Sequence, residues 1–178
     1  MKNRHVYLAV ALIAICVTQL PTVDAQLGGL FGRGPKVDVI QTGELEDMLN
    51  RQKEAEATAK QSGTDAPKAE FVLVDVRSDA EVKVSIIPGA ITKADYEKNL
   101  AKYKGRTVIP YCTVGARSGA YAKQLAARGV KVRNYEGSIL EWVGAELPLV
   151  TLDGQPTNRV HTYSDRYRVP SKYQQVTQ

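Results

Sequence analysis

Thr107-Val108-Ile109-Pro110-Tyr111-Cys112-Thr113-Val114-Gly115-Ala116-Arg117-Ser118-Gly119 is the stretch on which the fold turns. Thr107–Tyr111 reads as a buried strand that runs straight into Cys112. A helical pattern spans Ser118–Arg128, with Tyr121, Leu125 and Ala126 on one apolar face and Gly129 placed to end it. Strand, short loop and helix are the unit of an α/β protein. In open α/β sheets ligands bind in the crevice outside the carboxyl ends of the strands, where the loop Cys112–Arg117 would lie.

The same alternation continues outward. Phe71–Val76 is a nearly unbroken apolar run interrupted by Asp75, the pattern of a central strand covered on both faces. A short helix is expected over Asp79–Val84, stopped by Pro88-Gly89, and another over Asp95–Tyr103. Upstream, Lys36–Gln41 reads as a strand and Gly43–Lys60 as a helix with Leu45, Met48 and Leu49 on one face and Thr42 as N-cap. Its far end, from Glu54, is polar all round, and Gln61–Lys68 is a loop. Downstream, Lys131–Tyr135 reads as a strand and Ile139–Val143 as a short helix holding the only tryptophan, Trp142. The class expected is therefore α/β, a mostly parallel central sheet with helices on both faces. From Thr151 the periodicity stops, and residues 151–178 read as a polar tail, disordered or loosely docked.

The two ends bound the domain. Lys2 and Arg4 precede a 12-residue apolar run, Val6–Val17, and small residues end the segment at Ala25. That is the pattern of a secretory signal cleaved after Ala25, and the expectation is an exported, periplasmic or secreted protein. The run is too short for a membrane span, which needs about 20 apolar residues. Ile15 stands where a lipoprotein signal at Cys16 would want a small residue. Residues 26–35 form a glycine-rich linker, leaving residues 36–150 as the folded domain. The net charge of +5 comes from dispersed residues, with no basic and aromatic stripe to suggest nucleic acid; an anionic small substrate is compatible with it.

Cysteine and histidine usage narrows the chemistry. The chain has two cysteines, and Cys16 leaves with the leader, so Cys112 is a lone thiol in an exported protein, the sign of a reactive sulfur or an intermolecular bond. Of two histidines only His161 remains, within the polar tail. No zinc site is expected from so few ligands, no cofactor is called for, and no imidazole stands beside Cys112 in sequence to act as its base. The loop supplies another means of ionising it. Gly115 lets the chain curl tightly, so that successive N–H groups point at the sulfur, the following helix adds its positive end, and Arg117 adds a cation at the rim. Each pKa unit gained in this way is worth about 1.4 kcal/mol. Cys112 could otherwise be a small apolar core residue and Arg117 a surface cation.

Four ordered blocks between about Val37 and Val150 carry a family resemblance. Val72-Leu73-Val74-Asp75-Val76-Arg77 with Glu81, then Ile87-Pro88-Gly89-Ala90-Ile91, resembles the rhodanese pattern of a DVR strand followed by E…IPGAI. Cys112–Arg117 resembles that family's six-residue active loop. Gly137-Ser138-Ile139-Leu140-Glu141-Trp142 followed by Leu147-Pro148 is similar to its closing G-G-x-x-x-W…LP segment. The resemblance implies a sulfurtransferase in which Cys112 accepts sulfane sulfur from a small anionic donor such as thiosulfate and passes it to a thiol or cyanide acceptor, or to an acceptor protein. It implies that Thr113, Val114, Gly115, Ala116 and Arg117 bind the substrate, Arg117 by positioning the donor's anionic part. Asp75, Arg77 and Glu81 would be structural, ion-paired beneath the loop. Ser85 and Ile86 depart from a frequent Gly-His, Ser138 replaces a frequent glycine, and Thr113 stands where thiosulfate-using members can carry a basic residue.

Two other readings compete. A phosphatase or arsenate reductase of related fold wraps its oxyanion in C-x5-R, whereas Cys112 to Arg117 is C-x4-R, a shorter ring that suits one sulfur atom. A non-enzymatic sulfur carrier or interaction module of the same fold would use Cys112 without free substrates, or not at all.

Overall fold

The computed structural model describes residues 34–177; the expected leader 1–25 and all but the end of the linker 26–35 lie outside the described residues. In chain order the elements are β1 (Asp38–Val39), α1 (Thr42–Ser62), β2 (Phe71–Asp75), α2 (Asp79–Val82), β3 (Ile91–Thr92), α3 (Lys93–Lys98), a 3-10 turn (Leu100–Tyr103) and β4 (Thr107–Tyr111). They continue as α4 (Ala116–Ala127), β5 (Arg133–Asn134), α5 (Ser138–Gly144), β6 (Leu149–Val150), β7 (Pro156–Thr157), β8 (Arg159–His161) and β9 (Gln174–Val176).

Parallel neighbours need a crossover connection between them, and the helices between these apolar strands supply it. β2 and β4 pair along their length, Phe71 opposite Thr107 and Asp75 opposite Tyr111. β3 extends the sheet beside the end of β2. On the other side Val108 bridges Val132 and β5 pairs with β1, giving the order β1-β5-β4-β2-β3, all parallel.

Alternate residues divide between the two faces, as the strand period requires. Leu73, Ile109 and Tyr111 pack with Leu45 of α1 and Ile139, Trp142 and Val143 of α5. Val72, Val74 and Val108 pack with Tyr96 of α3, Tyr103, and Tyr121 and Leu125 of α4. A fully buried Leu or Ile such as Leu73 or Ile109 contributes about 1.5–3 kcal/mol by leaving water. The expected class, helices on both faces of a parallel sheet, is the class observed.

Several boundaries differ. The helix expected over Asp95–Tyr103 is broken at Asn99 into α3 and the 3-10 turn. Thr42 is not the N-cap of α1; Gln41 is, and the buried Thr42 hydroxyl bonds instead to the Tyr135 hydroxyl at 2.8 Å and to Glu141.

The largest correction concerns residues 151–178, read as a loosely docked polar tail. β7 pairs antiparallel with β6, and β8 pairs parallel with β9. Val160 and Tyr173 are buried in the α1/α5 face core, and Val169 packs beside them. The segment covers the edge of a core that already exists. A few apolar side chains suffice for that, too few to produce a visible period.

Candidate active site

β4 delivers Cys112 to the carboxyl edge of the sheet, and the chain turns at once into α4. The helix begins at Ala116, two residues before the expected start, with Gly115 as its N-cap. Gly115 has φ +88°, and a Cβ there would lie 2.4 Å from the Glu136 carbonyl oxygen, so both conformation and space demand glycine. Its N–H donates to Cys112 Sγ at 3.1 Å. The first turn of α4, whose N–H groups have no partner within the helix, thus opens toward the sulfur.

Cys112 is buried, and its own N–H donates to Ser138 Oγ at 3.0 Å. Burial alone would push the thiol up. The N–H groups of Ser118 and Val114 and the hydroxyls of Ser118 and Ser138 outweigh it and hold the thiol below its ordinary range.

Glu81 joins α2 to this loop. One carboxylate oxygen accepts from the Ser78 N–H and hydroxyl at 3.0 and 2.8 Å and from Arg117 Nη1 at 2.7 Å. The other accepts from the Thr113 hydroxyl at 2.9 Å and from Arg117 Nη2 at 2.7 Å. Although burial raises it, these donors, led by Arg117, keep the carboxyl far below the usual range.

Of the residues expected to bind substrate, Val114 and Ala116 stand exposed on the rim and Gly115 offers an amide. The Thr113 hydroxyl is engaged with Glu81 and Arg117. Arg117, 40 % exposed, has its charge balanced by Glu81.

Asp75 and Arg77 form a separate buried pair, with Arg77 Nη2 2.7 Å and Nε 2.9 Å from the carboxylate. Arg77 also donates to Ser85 O at 2.6 Å and His161 O at 3.5 Å, so it ties β2, the turn before β3 and β8 together. The three charges expected to pair beneath the loop are thus divided: Asp75 with Arg77, and Glu81 with Arg117.

Three features escaped sequence reading. Ser118 is buried at the start of α4, its hydroxyl donating to Gly115 O at 3.1 Å. Ser138 was visible only as a departure from a frequent glycine. The C-terminal segment, which carried no signal, brings the Tyr163 ring to 5.7 Å from the Arg117 guanidinium. There the Tyr163 N–H donates to His161 Nδ1 at 3.1 Å. Burial lowers the His161 pKa; Glu81 opposes this, and Arg77 and Arg117 add to it. Among the described residues no three His, Cys, Asp or Glu side chains gather to hold a metal ion, and no helix is long and apolar enough to cross a membrane. A groove of about 650 Å³ lies elsewhere, between α1 and the sheet, lined by Leu49, Phe71, Tyr103 and Trp142 and by no residue of the Cys112 loop.

The site is thus a buried cysteine at the end of a central parallel strand, with the amides of a short loop and the first turn of a helix turned toward its sulfur. The family model of the rhodanese-like domain matches residues 46–145, and the chain belongs to that family. A sulfurtransferase of Allochromatium vinosum is 32 % identical over 93 residues, covering 50 % of this chain and 87 % of that protein. A putative sulfurtransferase of Bacillus subtilis is 37 % identical over 82 residues, covering 44 % and 80 %. A rhodanese-like domain protein from Staphylococcus aureus, known from its crystal structure, is 26 % identical over 60 % of this chain and 91 % of its own, with a TM-score of 0.44.

Proposed function

We propose that this chain is a sulfurtransferase that carries sulfane sulfur as a persulfide on Cys112. The observation that carries the reading is the amide cradle: Gly115 N–H at 3.1 Å from Sγ, in a loop that holds the thiol below its ordinary pKa. With thiosulfate as donor, the Cys112 thiolate attacks the outer sulfur. The S–S bond of thiosulfate breaks, sulfite leaves with the electron pair, and Cys112 is left as Cys–S–S⁻. A thiolate or cyanide then attacks the terminal sulfur; the Cys–S–S bond breaks and its electrons return to Cys112 as thiolate. The amide that faces Sγ serves the thiolate, and in the persulfide the charge moves to the outer sulfur, one S–S bond beyond it.

Arg117 orients the donor rather than attracting it, because Glu81 balances its charge. Thr113, Val114, Gly115 and Ala116 contribute backbone and rim. The acceptor is a small thiol, cyanide or a protein thiol, and the protein acts after export, as its leader suggests. The C-x4-R ring and the engagement of both Arg117 Nη atoms by Glu81 favour sulfur over a phosphate ester.

Thiosulfate should add about 32 Da to the peptide containing Cys112, reversible by cyanide, with no addition in Cys112→Ser. Addition that survives Cys112→Ser, or hydrolysis of an aryl phosphate without sulfur transfer, would reject the proposal.

A further inference from the structure

Ser138, Glu146 and Tyr163 are the non-glycine residues with left-handed backbones among the described residues, and only Ser138 touches Cys112. Its φ of +54° suits glycine, and serine adopts it at a cost. Anchoring α5 to the loop does not need the hydroxyl, because the Ile139 and Leu140 N–H groups already donate to Cys112 O and Thr113 O at 3.1 and 3.3 Å. Yet the side chain is fully buried with its oxygen aimed at the site.

That oxygen stands among three groups. It accepts from Cys112 N–H at 3.0 Å, its proton goes to Tyr135 O at 3.0 Å, and Cys112 Sγ lies at 3.8 Å. A hydroxyl has one proton and a free rotor. A neutral thiol competes poorly with a carbonyl for that proton, whereas an anionic sulfur competes well.

Resting on the reading of Cys112 as the sulfur-carrying nucleophile, we propose that Ser138 is a positioning residue for the reaction. Its hydroxyl turns from Tyr135 O to Cys112 Sγ when the thiolate forms, and so stabilises it. No covalent bond changes. The backbone conformation that places the oxygen is the cost of having it there.

The charged and titratable groups around Cys112 come from five places. Arg117 lies on α4, with Glu81 of α2 paired to it. His161 of β8 lies beside Arg117 and Glu81. The Glu136 side chain, before α5, stands against Gly115. Glu141 on α5 is tied to Thr42. Removing one hydroxyl changes none of them, so a displaced pH profile reports on Ser138.

Two variants separate this role from a structural one. Ser138→Gly and Ser138→Ala both lack the hydroxyl, but only glycine relieves the left-handed backbone. Iodoacetamide alkylation of the Cys112 peptide, followed by mass spectrometry across pH, should slow about three- to tenfold near neutrality in both variants, with its midpoint moved to higher pH. The alanine variant should melt several degrees below the glycine variant. Equal loss of reactivity at unequal stability supports the proposal. Alkylation at the wild-type rate and midpoint in Ser138→Gly would overturn it. Alkylation needs no sulfur donor, so this result stands apart from the transfer assay that tests the function.

Discussion

Glu81→Gln keeps the shape of a buried side chain and removes its charge, and the structure sets the size of the effect. The carboxylate accepts five hydrogen bonds, from the Ser78 N–H and hydroxyl, the Thr113 hydroxyl and two nitrogens of Arg117. An amide has one accepting end. Whichever way it is turned, its NH₂ faces an Arg117 nitrogen together with either Ser78 or Thr113. Hydrogen bonds to charged groups are worth about 1.5–3 kcal/mol each, but Arg117 is 40 % exposed and can turn to water, which recovers part of the loss. The expected net destabilisation is about 2–3 kcal/mol at pH 7, or about 5–10 °C in Tm for a domain of this size. The pH dependence has a definite sign. Glu81 is held below its ordinary range, so its contribution is complete above the unfolded-chain value of about 4.3 and fades as pH falls toward the folded value. Urea unfolding of both proteins at pH 7.5 and pH 3.5 should show the gap narrowing in acid. A gap below about 0.5 kcal/mol at pH 7.5, or one that widens in acid, would refute the assignment of Glu81 as the charged hub of the loop.

Gly115→Ala must bring a Cβ to 2.4 Å from Glu136 O at φ +88°, and is expected to lose at least about 2 kcal/mol in thermal unfolding and most Cys112 alkylation at neutral pH. Asp75→Asn strands the buried Arg77 guanidinium, and should cost about 3–5 kcal/mol in urea unfolding while leaving the Cys112 alkylation midpoint close to wild type. A chain ending at Asn158 loses Val160 and Tyr173 from the core and the carbonyl of His161 from Arg77. It should lose about 3–6 kcal/mol in the same unfolding assay, whereas a dispensable tail predicts no change.

What could be read from the sequence follows how locally each feature is determined. Thr107–Tyr111 was delimited residue for residue, because an apolar run ending at a polar loop needs no distant information. Phe71–Asp75 was found within one residue for the same reason. The start of α4 was misplaced by two residues because its N-cap, Gly115, signals through backbone freedom rather than through a hydroxyl or carboxylate. The loop cysteine, its glycine and Arg117 were legible as a cluster. The partner of Arg117 was not, because Glu81 lies 36 residues away and its choice between Arg77 and Arg117 is made only by the packing of α2. The C-terminal segment was unreadable for a different reason. Val160, Val169 and Tyr173 are spaced by irregular chain, and no period links residues that meet only through the edge of a finished core.

His161 lies within the polar tail of the sequence, yet in the fold it is buried beside Arg77 and Arg117, close to the loop. Proximity invites a role as general base, and the hydrogen bonding argues against one. Nδ1 is already an acceptor, for the Tyr163 N–H, so in the neutral ring the proton sits on Nε2 and no free lone pair remains. Burial, countered by Glu81 and aided by Arg77 and Arg117, disfavours the gain of a second proton. A neutral, fully committed imidazole can neither withdraw a proton from Cys112 nor pair with its thiolate as a cation. Ionisation of the sulfur therefore falls to the amides of Val114, Gly115 and Ser118 and to the hydroxyls beside them. His161→Gln should accordingly leave the pH midpoint of Cys112 alkylation in place; a midpoint moved upward by a unit or more would mean that the imidazole, and not the loop, ionises the sulfur.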